Sequence, residues 1–102
     1  MINYSNLPSH MQKGAREYVE YGTPPGGFLY AVLSNDFKEA FARADDTNTA
    51  HMRTWAHWVM WECPAIAQGS VGKVEAWIKI GGMNGYQNAK EHSEDSQELE
   101  KL

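Results

Sequence analysis

The amino-acid sequence predicts an all-α protein: a small irregular bundle of four to five short helices over residues 1–86, then a disordered acidic C-terminal tail over residues 87–102. Three observations carry that reading. Apolar residues recur at spacings of three and four rather than alternating, as they do on a helix face. The segments they define are bounded by capping residues, prolines and glycines. After Tyr86 the hydrophobic pattern collapses into charge, as in a solvated tail.

Pro8 or Ser9 can start the first helix, and Met11, Ala15, Tyr18 and Val19 make one apolar stripe that runs to Tyr21. Gly14 inside the stripe costs about 1 kcal/mol relative to Ala, which suits a close helix crossing. Gly22 stands where a left-handed glycine closes a helix. Thr23-Pro24-Pro25-Gly26-Gly27 is the clearest break, and Pro25 suits the first turn of a new helix. Phe28, Leu29, Ala31, Val32 and Leu33 then form an apolar run too short for periodicity to separate buried helix from buried strand; the helical surroundings favour helix.

Ser34-Asn35-Asp36 offers capping groups, with Glu39 at the capping-box position of a helix from Asp36 to Ala44 that buries Phe37, Ala40 and Phe41. Asp45-Asp46-Thr47-Asn48 precedes the next helix, about Thr49 to Glu62. Its stripe is Met52, Trp55, Ala56, Val59 and Met60, widened by Trp58 and Trp61, and one of the three tryptophans Trp55, Trp58 and Trp61 stays incompletely buried. Cys63-Pro64 ends it. Ser70 caps a helix from Val71 to Ile80 that carries Val74, Trp77 and Ile78 and stops at Gly81-Gly82.

The chain has 102 residues, room for one domain and one modest core. At 42% hydrophobic and 22% charged residues, global disorder is excluded. The net charge of −4 argues against a nucleic-acid surface, which needs a basic stripe. Glu91, Glu94, Asp95, Glu98 and Glu100 against Lys90 and Lys101 give the tail −3 of that total, so the body is nearly neutral. Cys63 is the single cysteine, which excludes an internal disulfide and suits a reducing compartment. MINYSNLPSHMQ lacks the features of a signal peptide, and no apolar run reaches the roughly 20 residues that cross a bilayer. A cytoplasmic protein that binds neither nucleic acid nor membrane is expected.

Catalytic signatures are missing: there is no G-x-S-x-G, H-E-x-x-H or paired CxxC. His57 and Cys63, six residues apart, fall on different helix faces, so Cys63 reads as structural. His10, His51, His57 and His92 share no standard metal-ligand spacing with one another or with Asp45 and Asp46. No enzyme, metal or cofactor is therefore expected, and no Lys/Arg-rich helix supports a DNA-binding regulator.

The remaining polar groups allow a binding site. Gly26 and Gly27 at a helix start could cradle an anion on free backbone N–H groups, or could simply permit a tight turn. Arg16 or Arg43 could add a planar fork for phosphate, or could form surface pairs. Tyr21, Asn35, Asp36 and Trp55 are candidates for base or ribose contacts. Twelve aromatic residues in so short a chain serve either a core or a stacking surface.

The string LPSHMQKGAREYVEYGTPPGGFLYAVLSNDFKEAFARADDTN, continuing into HMRTWAHWVMWECP and GKVEAWI, resembles a family of short bacteriophage and prophage accessory proteins. Members read LP-x-HM, R-x-Y-I-E-x-G, PPG-x-FL, AVLSNDL, RAD-x-x-N, WLYNE-x-P and S-P-E-K-V-x-x-WI. The likeness covers about residues 7–80. It departs at Val59-Met60-Trp61, where the family often has Leu-Tyr-Asn, and at Val71-Gly72, where it often has Pro-Glu. The resemblance implies a protein made in the host cytoplasm, dispensable for building the particle and suited to countering host defence. By analogy, one such strategy is an oligomeric sponge that sequesters a nucleotide immune signal without cleaving it. Phosphate would then meet Gly26, Gly27 and Arg16 or Arg43, in a homo-oligomer. The alternative partner is a host defence protein, met through an aromatic surface or the acidic tail.

Overall fold

A computed structural model describes residues 2–90, and every described element is helical. The chain runs through α1 (Ser9–Tyr21), α2 (Gly27–Leu33), α3 (Phe37–Arg43), α4 (Asp46–Ala50), α5 (Met52–Trp61), a 3-10 turn (Ala65–Ala67), α6 (Val71–Ile80) and α7 (82–90). The all-α class is as predicted, whereas the count of four to five helices falls short. Residues 87–90, read from the sequence as tail, continue α7; the remainder of the predicted tail, 91–102, lies outside the described residues. No helix among the described residues is long and apolar enough to cross a membrane.

Several starts and stops follow local chemistry. Asp36 Oδ1 accepts from the Glu39 N–H at 3.2 Å, Asp45 Oδ1 from the Asn48 N–H at 2.7 Å, and Ser70 Oγ from the Lys73 N–H at 3.2 Å. Each satisfies a donor that a helix start leaves without a partner. The capping box at Asp36 is only half formed, because Glu39 turns its carboxylate to Arg43 Nε instead. Gly22 is left-handed (φ 69°) and its N–H bonds back to the Tyr18 carbonyl, closing α1.

Three expectations about elements are corrected. The second helix starts after Gly26, not at Pro25: Gly26 is extended, and the first backbone bond is Tyr30 N–H to the Gly26 carbonyl. Gly26 serves as the extended N-cap, a position glycine fills readily, which leaves both prolines outside the helix. The single helix predicted over Thr49–Glu62 is two, because His51 Nδ1 sits 2.8 Å from the Thr47 carbonyl that its own N–H would take in a continuous helix. Gly14 marks no helix crossing, since nothing lies within 4 Å of a Cβ built there.

The core is aromatic. Trp55 stacks edge-on against Phe28 and Trp58, with centroids 5.4 and 6.0 Å apart, and Tyr4 closes on Trp58. Three polar tips find partners: Trp55 Nε1 donates to Asn48 Oδ1, Trp77 Nε1 to the Tyr18 carbonyl, and Tyr18 Oη to the Ala67 carbonyl. The last two tie α1 to α6 and to the 3-10 turn. Trp58 Nε1, by contrast, is buried without a partner among the described residues. Burial pushes the Tyr18 hydroxyl well above the usual tyrosine range, so it stays a donor.

Candidate functional site

Among the described residues, one face of the bundle is left uncovered. Helix α2 packs against both α3 and α5, and residues of all three line a groove of about 450 Å³. Ala31 and Val32 come from α2, Phe37, Ala40 and Phe41 from α3, and Met52, Arg53, Trp55, Ala56, Val59 and Met60 from α5, with Asn35 and Asp36 at the α2–α3 turn.

Its rim overturns an expectation of burial. Ala40 faces inward as predicted, but Phe37 is 71% exposed and Phe41 is 44% exposed. The two rings, one helical turn apart, meet edge to face at 5.1 Å. Met60 on the opposite wall, read as part of the buried stripe, is 68% exposed. Phe37, Ala40 and Phe41 fall on one side of α3, at i, i+3 and i+4, but only the small Ala40 meets the core, while the two rings flank the open groove. Trp61 is the incompletely buried tryptophan of α5.

The groove holds two charges. Asp36 lies at the start of the α3 wall and Arg53 on the α5 wall, and neither makes an ion pair among the described residues. Asn35 sets the turn between α2 and α3 in a left-handed conformation (φ 62°), one that Asn tolerates better than most residues.

The eight residues singled out in the sequence are only partly brought together. Asn35, Asp36 and Trp55 line the groove. Gly27 and Arg43 form a separate contact: a Cβ on Gly27 would meet the Arg43 guanidinium at 2.9 Å, and Arg43 Nε is held by Glu39 Oε1 at 2.6 Å. Gly26 caps α2 with open space around it. Arg16 lies over the Tyr4 ring at 5.0 Å, and Tyr21 is exposed at the end of α1; neither lines the groove. Stacking on Trp55 is closed off, because the indole is 1% exposed and its N–H is already given to Asn48.

Sequence reasoning missed Phe37, Phe41, Met60 and Arg53 as surface groups. The available signal was a surplus on α5, which carries more large apolar residues than one inward stripe can hold. Cys63 is buried, which pushes its thiol up to about 12, so it is held as the neutral thiol. Among the described residues no group of three His, Cys, Asp or Glu side chains is placed to hold a metal. A second, smaller hollow of about 150 Å³ lies between the N-terminal segment and α5 and includes Asn3, His57, Trp61 and Glu62.

Compared with known proteins, the chain matches no family model, no curated protein and no solved structure.

Proposed function

We propose that this chain is a non-catalytic binding protein whose working surface is the groove between α2, α3 and α5, and that what it binds is protein. The observation that carries this is the exposure of Phe37 at 71% and Met60 at 68% on the two walls of an apolar hollow. Contiguous exposed apolar surface of this kind costs free energy unless a partner covers it. Aromatic and methionine side chains are also those that interfaces concentrate at their centres. The resemblance to phage accessory proteins supplies a setting: a host cytoplasm, with a defence protein as the target.

Sequestering a nucleotide signal draws less support. Of the candidate arginines, Arg16 lies over Tyr4 and Arg43 is held through Nε by Glu39, and neither lines the groove. The groove's own cation, Arg53, stands beside aliphatic and aromatic side chains.

Affinity capture from host lysate, run beside calorimetric titration with cyclic dinucleotides and ADP-ribose derivatives, separates the two readings. A stoichiometric protein partner that is lost with Phe37→Glu is the expected result. Nucleotide heat at one site per chain, unchanged by Phe37→Glu and with no protein captured, would overturn the proposal.

A further inference from the structure

We infer that the groove is also a self-association surface, closed by a second copy of this chain across a two-fold axis. The inference rests on the reading of the groove as the working surface and names its resident occupant. A two-fold interface must be self-complementary: one patch has to carry both a feature and its match. This patch does so twice.

The first match is of shape. The Phe37–Phe41 pair stands out from the α3 wall, and beside it lies a hollow of about 450 Å³ whose floor and far wall offer Val32, Ala56 and Val59. That volume is within the range that admits groups of the size of two phenyl rings. Ridge and hollow adjoin on one face, so a two-fold rotation can seat each copy's ridge in the other's hollow.

The second match is of charge. Asp36 is on one wall and Arg53 on the other, and neither has an ion-pair partner within its own chain among the described residues. The same rotation sets Arg53 against the partner's Asp36 and Asp36 against the partner's Arg53. Two charge pairs flanking a shared aromatic centre fix register and orientation. A purely apolar partner would leave both charges unanswered.

The test is sedimentation of the full chain at roughly 100 µM, where a micromolar Kd leaves mostly dimer. The expected wild-type mass is that of two chains. Phe37→Glu is expected to give one chain with unchanged helical circular dichroism. Arg53→Asp is expected to weaken the dimer by about tenfold or more, through repulsion of the partner's Asp36. Adding Asp36→Arg to Arg53→Asp is expected to restore it, although Asp36→Arg also removes a helix cap. Asp36→Asn keeps the cap and is expected to weaken the dimer without unfolding α3.

A wild-type chain that sediments as one copy overturns the inference, as does a dimer indifferent to Phe37→Glu and Arg53→Asp. The groove reading fails separately. If the chain is monomeric but Phe37→Glu still abolishes capture of a host protein, only the second copy is lost. If Phe37→Glu changes neither mass nor capture, both readings fall.

Discussion

Tyr18 shows how much one side chain can hold in a domain of this size. Its ring is fully buried, its hydroxyl donates to the Ala67 carbonyl at 2.6 Å, and its own carbonyl accepts from Trp77 Nε1. Tyr18→Phe keeps the ring and orphans the buried acceptor, so a loss of about 1–3 kcal/mol is expected in chemical denaturation. A loss under half of the lower figure would mean that the carbonyl finds water. Cys63 gives a second residue-scale test. Buried, with its thiol raised to about 12, it is expected to resist a disulfide reagent at pH 8 until the protein unfolds. Stoichiometric labelling of the native chain within minutes would contradict its burial.

At the scale of elements, helix ends were legible wherever a side chain touches its own backbone. Asp36, Asp45, Ser70 and Gly22 act within four residues of themselves, so spacing alone revealed them. Ser70→Ala is accordingly expected to cost about 1 kcal/mol through the start of α6, read as a shift in the urea midpoint with unchanged slope. The faces of α3 and α5 were not legible. Periodicity gives a stripe but not which side of a short helix meets the core, and that is decided by distant partners. Phe37 and Ala40 share one side of α3, yet Ala40 is buried and Phe37 exposed. The break at His51 was hidden for another reason: a side chain competing for a backbone carbonyl leaves no trace in spacing.

Asp45 joins elements far apart in sequence. It caps α4, and its Oδ2 lies 2.9 Å from His10 Nε2 on α1. The Asn48 backbone bond, and then His10, hold its carboxyl below the usual value. A depressed folded-state value contributes stability above the ordinary value of 3.8, and loses it as the pH falls through the lowered one. Asp45→Asn keeps the cap and is expected to flatten the acid limb of the Tm profile below about pH 4. An acid limb of unchanged steepness would assign the loss to other carboxylates.

For the whole molecule, α1 and the α6–α7 corner meet backbone to backbone. Gly82 is left-handed (φ 68°), and a Cβ there would fall 2.6 Å from the Tyr21 amide nitrogen. Gly82→Ala is expected to lower Tm and release the Trp77–Tyr86 contact, read in near-ultraviolet circular dichroism. The sequence marked this glycine pair as a stop; that the same pair is a crossing depends on Gly22, sixty residues away, and could not be read from it. The candidate site has the same history. Its turn, Asn35 and Asp36, was visible in the sequence, while its walls arise only when three helices converge.

A photo-crosslinking phenylalanine placed at position 37, and separately at Tyr21, in bacterial cells making the chain tests the groove most directly. Both side chains are exposed, but only Phe37 lines the groove. The expected result is a discrete protein adduct from position 37 and none of that mass from position 21. No adduct from position 37, or the same adduct from both, would contradict the groove as the binding surface.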